Sequence, residues 1–248
     1  AHFKTGCETY ALLNIAPILK MAKENESEKV HRFSLVASGR ALKENDKDMP
    51  KIEQIYQILR EKTNLHLCAS FGIASKKALQ KLKNSGVKTY HHNLETSRAF
   101  YPQICTTHTF EDRVQTIKNC HLVGLDVCSG GIFGLGESVE DRIDMAFELR
   151  ELGVSSVPIN ILMPIKGTPL ENNAPLSEEE ILRSIAVYRF ILPKVYLRFA
   201  GGRVKLGKSV AKALNSGVNS AITGNFLTTT GDTIKSDMEL VASLGFEI

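Results

Sequence analysis

Helix-like and strand-like segments alternate regularly along the 248 residues of the chain. Segments with apolar residues at helical spacing alternate with short apolar runs. Strands that alternate with helices favour βαβ units and a parallel sheet. The predicted helices cover residues 8–24, 49–62, 75–84, 109–122, 139–152, 177–191 and 204–215, and the predicted strands cover 30–37, 65–71, 87–91, 125–129, 156–162, 195–199 and a short run ending at 221–222.

Local signals mark where several of these helices begin and end. Pro17 predicts a kink in the first helix, because proline has no backbone N–H to donate. Asp48 and Ser177 stand where helix N-caps are expected, and Ser177 has capping-box spacing with Glu180. Gly86 is the glycine expected just after a helix ends. These signals support the order of elements given above.

The number and spacing of the strands predict the architecture. Seven strands at intervals of roughly 25–35 residues fall one short of the eight in a closed barrel of about 250 residues. An α/β fold is therefore expected, and the strand count is near that of a (βα)8 TIM-type barrel of parallel strands; no internal linker is evident, as expected of a single domain over residues 1–248. A doubly wound open sheet is the competing architecture.

Composition narrows the classes of function. The net charge of +4 is spread along the chain without a dense Lys/Arg block, so no nucleic-acid partner is expected. No apolar run reaches the ~18–20 residues that a membrane span needs, and no signal peptide is evident. Five cysteines, an odd and sparse set, argue against a secreted disulfide scaffold. The sequence therefore predicts a cytoplasmic protein in which some thiols are candidates for metal binding.

Two cysteines fall within predicted strands, where a barrel would place reactive groups. Cys68 and Cys128 each lie in an apolar run and are candidates to face one interior. Two thiolates that face each other are suited to a soft metal or an iron–sulfur cluster. Inert buried thiols are the alternative, because cysteine is among the most buried residue types.

A glycine-rich run follows the strand that contains Cys128. Residues 130–137 (GGIFGLGE) lie between a strand and a helix, where glycines allow close backbone approach and a helix N-terminus attracts anions. The run lacks the GxGxxG order of a dinucleotide fold. It indicates a small-molecule site, although Glu137 alone could complement the helix dipole.

Polar residues also stand at other strand ends. Arg198 lies between apolar residues in a strand and needs either a carboxylate partner or a bound anion or cluster. Asn93 and Glu95 alternate along an extended segment, so they are candidates to face one ligand, as is Asn160 near the end of a later strand. Turn formation would place the same residue types without any ligand.

Taken together, these segments resemble the biotin synthase family of radical S-adenosylmethionine (SAM) enzymes. The resemblance covers nearly the whole chain. It rests on residues 90–97 (YHHNLETS), 106–109 (TTHT), 112–113 (DR), 127–137 (VCSGGIFGLGE), 157–160 (VPIN), 166–170 (KGTPL), 198 and 200–203 (AGGR), with smaller matches at 4–6 (KTG) and 219–220 (NS).

The resemblance implies a (βα)8 barrel that inserts sulfur into dethiobiotin to form biotin. It implies a [4Fe-4S] cluster that donates an electron to SAM, which splits into methionine and a 5′-deoxyadenosyl radical. An auxiliary iron–sulfur cluster would be the sulfur donor. The implied partners are an electron donor such as flavodoxin or ferredoxin and a second copy of the chain in a homodimer, with no nucleic acid and no membrane.

The resemblance also assigns the residues of the site. His91 and Asn160 would contact the substrate, with Asn160 on its ureido group. Cys68, Cys128 and Arg198 would line the auxiliary cluster, and Cys128 and Arg198 would act as catalytic residues. The SAM-binding residues would be Ala37 and Ser38 near the methionyl group, Asn93 and Glu95 at the ribose, and Arg113 at the carboxylate.

The chain departs from the family pattern in three respects. The Cys-x3-Cys-x2-Cys motif is absent from the sequence. In the family it precedes the Lys-Thr-Gly stretch, so we expect it and the first barrel strand upstream of Ala1, and the chain as given should not cleave SAM. Ser34 stands where many members have a third auxiliary-cluster cysteine. His91 stands where an asparagine usually contacts the substrate.

The Ser34 departure leaves the type of auxiliary cluster open. Cys7 or Cys105 is a candidate to complete it, whereas Cys120 lies in a predicted helix and is interpreted as structural. Two other functions remain as alternatives: a different radical SAM enzyme on the same barrel, or a barrel that binds a small molecule without a cluster. The segment 157–160 and Arg198 argue against the first alternative.

Overall fold

A computed structural model describes residues 10–223 and 233–246, which form two compact units. The first unit contains residues 10–92 and 111–128, and the second contains 93–110, 129–223 and 233–246. The elements are α1 (Ile15–Ser27), β1 (Arg32–Val36), β2 (Ala41–Leu42), α2 (Met49–Lys62), β3 (His66–Ser70), β4 (Ile73–Ala74), α3 (Lys76–Asn84), β5 (Thr89–His91), α4 (Tyr101–Ile104), α5 (Phe110–Leu122), β6 (Asp126–Cys128), β7 (Gly131–Phe133), α6 (Val139–Glu151), β8 (Ser156–Ile161), α7 (Glu178–Ile191), β9 (Tyr196–Phe199), a 3-10 helix (Arg203–Ser209), α8 (Val210–Asn215), β10 (Ser220–Ala221) and α9 (Ile234–Ser243).

The first unit is built on four parallel strands in the order β1, β3, β5, β6. The short strands β2 and β4 form a separate parallel pair. Side chains alternate between the two faces of each strand, and residues that lie opposite each other share a face. The register therefore decides which side chains of this unit come together.

Helix α2 shows how the sequence produces the core of the first unit. Its buried side chains recur at helical spacing, so one stripe of the helix is apolar and is removed from water. At the middle of this stripe the hydroxyl of Tyr56 donates a hydrogen bond to the backbone oxygen of Cys68, at 2.7 Å. The helix thereby fixes the strand that carries the first thiol. The buried residues of α2 are Met49, Ile52, Ile55, Tyr56 and Leu59.

The second unit is built on four parallel strands in the order β7, β8, β9, β10. Ile132 lies opposite Asn160, Pro158 lies opposite Arg198, and Ser220 also lies opposite Arg198. Because Pro158 and Asn160 are two residues apart, Asn160 and Arg198 share one face of this sheet.

A buried ion pair joins three elements of the second unit. The Arg142 guanidinium lies 3.0 Å from Glu137 and also pairs with Glu180, and only 2% of the Arg142 side chain is exposed. Glu137 accepts hydrogen bonds from the backbone N–H of Gly134 at 2.9 and 3.1 Å. The hydroxyl of Tyr188 donates to the Arg142 carbonyl oxygen at 2.7 Å. These bonds fix the glycine-rich run to α6 and α7.

The predicted order of elements is confirmed, and three local details were wrong. The first helix begins at Ile15 rather than at residue 8, and residues 8 and 9 lie outside the described residues. Pro17 lies in its first turn, where a missing N–H breaks no helical hydrogen bond, so it causes no kink. Asp48 is at the N-cap of α2, but its side chain makes no cap hydrogen bond.

The helix predicted over residues 204–215 is broken in the structure. A 3-10 helix covers its first part, Gly207 has a non-helical backbone (φ 46°, ψ −122°), and only Val210–Asn215 is α-helical. Nη2 of Arg203, at the start of the 3-10 helix, contacts both carboxylate oxygens of Asp237 in α9, at 2.7 and 2.8 Å. This pair anchors α9, an element that the sequence analysis did not predict.

The remaining differences are short elements. The sequence predicted seven strands, and all seven are present, at β1, β3, β5, β6, β8, β9 and β10. It missed β2, β4, β7 and α4, each four residues or shorter, because such runs carry too few residues to show a period. No helix within residues 10–223 or 233–246 is both long and apolar enough to span a bilayer.

Candidate functional site

Four chemically important side chains share one face of the first unit's sheet. Ser34 lies opposite Cys68, and Cys68 lies opposite Thr89. Two residues further along β5, His91 lies opposite Cys128. Because the face repeats every second residue, Ser34, Cys68, His91 and Cys128 all project to the same side, and we call this set the thiol face.

The two thiols of this face are shielded from water. Cys68 is 0% exposed and Cys128 is 2% exposed. The hydroxyl oxygen of Ser34 is also buried, and it has no hydrogen-bond partner among the described residues. Two residues before Cys68 on β3, His66 Nε2 is hydrogen-bonded to Thr89 Oγ1 of β5 at 2.7 Å, so the side chains of His66 and Thr89 lie on a common face. Cys68 on β3 and Cys128 on β6 therefore project to the same side of the sheet, with β5 between them.

Three predicted SAM-binding residues also belong to the first unit. Ala37 and Ser38 are exposed and follow the end of β1, where the N–H of Ala37 donates to the Ser70 carbonyl at 2.9 Å. Arg113 is half-buried in the first turn of α5. The Ala37 donor is engaged within the sheet, so any contact from this residue to a ligand would come from another of its atoms.

Asn93 and Glu95 form a polar pair in the second unit. Both are half-buried while the intervening Leu94 is fully buried, as the predicted alternation requires. Asn93 Nδ2 lies 3.4 Å from Glu95 Oε2, and the N–H of Gly130 donates to Asn93 Oδ1 at 3.3 Å. Glu95 has a φ of 74°, an uncommon conformation for a non-glycine residue that neighbouring structure must hold.

The glycines after β6 supply that support. Ile132 N–H donates to Glu95 O at 2.8 Å, and Glu95 N–H donates to Gly130 O at 3.1 Å. A Cβ on Gly131 would lie 2.5 Å from Glu95 O, and one on Gly130 would lie 2.0 Å from Pro158 O. The close approach that the sequence predicted is therefore made here to neighbouring backbone, which positions Glu95.

Asn160 and Arg198 lie together on the sheet of the second unit. Asn160 Nδ2 donates to Gly131 O at 3.1 Å, and Gly201 N–H donates to Asn160 Oδ1 at 3.0 Å. Arg198 is 6% exposed, and its Nε has no hydrogen-bond partner within the described part of the chain. The carboxylate partner considered for Arg198 is not found among those residues.

Sequence comparisons identify the family. A model of the Radical SAM superfamily matches residues 3–149, and a Biotin and Thiamin Synthesis associated domain matches residues 158–247. The protein named biotin synthase from Campylobacter hominis is 64% identical over 99% of this chain and 76% of its own length. The chain belongs to the biotin synthase family of radical SAM enzymes. The biotin synthase of Fusobacterium nucleatum is 58% identical over all of this chain and 69% of its own length.

Solved structures confirm the predicted fold class for this member of the biotin synthase family. Methylornithine synthase matches 98% of this chain and 76% of its own, with a TM-score of 0.79 at 21% identity. The FeFe-hydrogenase maturase HydG from Carboxydothermus hydrogenoformans matches 96% of this chain and 60% of its own, with a TM-score of 0.77 at 17% identity. The likeness shows an α/β fold of the (βα)8 TIM-type with parallel strands.

The donor groups fit the cofactors that a biotin synthase family member implies. Buried thiols are the preferred ligands of iron–sulfur clusters, and the thiol face provides two. Within the described ranges no group of three or more His, Cys, Asp or Glu side chains is arranged to hold a metal ion. Cys7, one of the two cysteines considered as a further cluster ligand, lies outside the described residues. The amide of Asn93 and the carboxylate of Glu95 suit the hydroxyls of a ribose.

The sequence analysis missed a second thiol environment, at Cys105. Its Sγ lies 3.5 Å from His108 Nδ1 and 3.6 Å from Thr107 Oγ1. Partial burial raises the pKa of Cys105, but hydrogen bonds from Tyr101, Thr107 and His108 outweigh burial and lower the pKa from 9.0 to about 7. Burial raises the pKa of Cys120 to about 12, consistent with its structural interpretation. The sequence of the TTHT segment does not predict the lowered pKa of Cys105, because the shift depends on hydrogen bonds made in the folded chain.

Cys105 should therefore be alkylated more readily than Cys120. The thiolate is the nucleophile, and a pKa of about 7 means that its fraction rises as the pH increases through 7. Treatment of the folded protein with iodoacetamide between about pH 5.5 and 8.5, followed by mass spectrometry of peptides, measures both rates. We expect the Cys105 rate to level off above pH about 8, with Cys120 unmodified throughout. Equal rates at the two cysteines would contradict this account.

Proposed function

We propose that this protein inserts sulfur into dethiobiotin to form biotin in a SAM-dependent radical reaction. The observation that carries the proposal is the thiol face, on which two buried cysteines from separate strands project to one side. The 64% identity to a protein named biotin synthase over 99% of the chain supports the same reaction. Inert thiols would also be buried, but they would not need a common face.

Cys68 and Cys128 are proposed as ligands of the auxiliary iron–sulfur cluster. Their softness suits iron, and their burial protects a cluster from water and oxidants. Arg198 is proposed as the third predicted member of this set, because a buried guanidinium needs an anionic partner. When bound, a [4Fe-4S] cluster with SAM would supply a 5′-deoxyadenosyl radical, and the auxiliary cluster would supply sulfur.

Asn93 and Glu95 are proposed to hold the SAM ribose. The Glu95 carboxylate accepts hydrogen bonds from hydroxyls, and the constrained backbone of Glu95 keeps the carboxylate in one place. Arg113 would pair with the methionyl carboxylate, and Ala37 and Ser38 would contribute from the loop after β1. These residues bind and orient SAM.

His91 and Asn160 are proposed to bind the substrate. Both polar atoms of the Asn160 side-chain amide are hydrogen-bonded to glycine backbone, which fixes the orientation of the side chain. The Asn160 amide can still donate one Nδ2 hydrogen and accept at one Oδ1 lone pair. These would pair with the carbonyl oxygen and an N–H of a ureido group, respectively. A fixed amide costs little entropy when it binds a small molecule.

Several predictions about the wider protein remain predictions. They are the single domain over residues 1–248, the cytoplasmic location, the homodimer and an electron donor of the flavodoxin or ferredoxin type. The dependence on dethiobiotin as substrate belongs to the proposal above.

An anaerobic assay tests the proposed reaction. The full-length natural protein is reconstituted with iron and sulfide and incubated with dethiobiotin, SAM and a low-potential reductant. We expect biotin, detected by mass spectrometry, to form together with 5′-deoxyadenosine and to be absent when SAM is omitted. Formation of 5′-deoxyadenosine without biotin would indicate a different radical SAM reaction, and absence of both would favour a barrel that only binds small molecules.

A further inference from the structure

Ser34 has a buried hydroxyl without an internal partner. Its Oγ is shielded from solvent and makes no hydrogen bond to any residue that the structure describes. Buried hydroxyls in folded proteins are nearly always hydrogen-bonded, because an unmade bond costs free energy. Serine at this place, between Phe33 and Leu35 of β1, therefore indicates a partner that is not part of the described polypeptide.

The register places that hydroxyl beside a proposed cluster ligand. Ser34 on β1 lies directly opposite Cys68 on β3, and strands in a sheet are about 4.8 Å apart. The two side chains project to the same face, so a group bound to the Cys68 sulfur lies within reach of the Ser34 hydroxyl. No described side chain competes for this hydroxyl.

We propose that the Ser34 hydroxyl donates a hydrogen bond to a sulfur of the iron–sulfur group bound by Cys68 and raises the reduction potential of that group. Hydrogen bonds to sulfur stabilise the more negative, reduced form of a cluster and are a principal determinant of its potential. Ser34 is a positioning and tuning residue in this account. The inference rests on the proposed function, because it requires the cluster assigned to the thiol face.

Three variants of the full-length protein test the inference. Ser34→Ala removes the hydroxyl, and Ser34→Thr keeps it on a residue that strands accommodate well. Ser85→Ala is the control, because Ser85 is a buried serine whose hydroxyl already donates to the Lys81 carbonyl of α3. Each protein is reconstituted with ferrous iron and sulfide, its iron and sulfide are counted, and the potential of the auxiliary cluster is measured by a redox titration followed by electron paramagnetic resonance.

We expect the Ala variant to shift the reduction equilibrium about tenfold toward the oxidised form, which is about 59 mV for one electron. Ser34→Thr and Ser85→Ala should match the wild type. Loss of auxiliary iron from the Ala variant but not from the Thr variant would also support the contact. An unchanged potential in Ser34→Ala with full iron content would overturn the inference and leave the proposed function standing. A wild type with iron for only one cluster would instead refute the auxiliary site itself.

Discussion

Replacing Cys128 by alanine is expected to lower biotin formation by more than about a hundredfold while SAM cleavage continues. Cys128 is 2% exposed at the end of β6 and shares the thiol face with Cys68. Mutation of a residue that hydrogen-bonds to a metal ligand lowers metal affinity or activity about 10–100-fold, so loss of a direct ligand should lower it further. SAM would still be bound, because Asn93 and Glu95 are unchanged. Quantifying biotin and 5′-deoxyadenosine in the same reaction measures both effects.

Cys120→Ala is the matched control for this experiment. Cys120 is also a fully buried cysteine of the first unit, but it lies in α5 rather than in a sheet strand. It should keep full biotin formation and the full iron content. If Cys128→Ala retained biotin formation, or if Cys120→Ala lost it to the same degree, the role assigned to Cys128 would be wrong.

Arg142→Ala is expected to destabilise the protein by about 3–5 kcal/mol. The substitution leaves the buried Glu137 carboxylate without its cation, and an unpaired buried charge is costly to keep away from water. It also empties the space between α6 and α7 that Arg142 fills. Urea denaturation followed by circular dichroism gives the free energy of unfolding of the wild type and the variant.

Arg183→Ala controls for the loss of an arginine on a neighbouring helix. Arg183 pairs with Glu179 along α7, but both side chains are about three-quarters exposed, at 76% and 74%. Exposed pairs contribute about 0.5 kcal/mol, so this variant should be nearly as stable as the wild type. A loss below about 1 kcal/mol in Arg142→Ala would show that the Glu137–Arg142 pair does not hold the glycine-rich run in place.

The order of most long elements could be predicted because each carries its own signal, although α9 was missed. The stripe of α2 from Met49 to Leu59 is visible in the sequence, and Gly86 marks the end of α3 with a φ of 115°. The break at Gly207 could not be predicted, because it depends on how the 3-10 helix is anchored through Arg203 and Asp237. Short pairings such as β2 with β4 depend on tertiary contacts rather than on periodicity.

The sequence predicted which residues form the candidate site better than it predicted their register and hydrogen bonds. Cys68 and Cys128 could be placed on one face because a strand alternates with period two once its register is known, yet the sequence does not contain that register. The anchoring of Asn160 by Gly131 and Gly201 involves three separate segments and has no local signature. The same applies to Cys105, whose lowered pKa depends on hydrogen bonds formed only in the folded chain.

The most direct test of the account follows the sulfur atom. The full-length protein is reconstituted with iron and sulfide enriched in ³⁴S, freed of unbound sulfide, and allowed one turnover with dethiobiotin, SAM and reductant. If the thiol face holds the sulfur donor, the biotin formed should carry ³⁴S, and Cys68→Ala and Cys128→Ala should form at least about a hundredfold less of it. Biotin that carries only unlabelled sulfur from the wild-type protein would contradict the account.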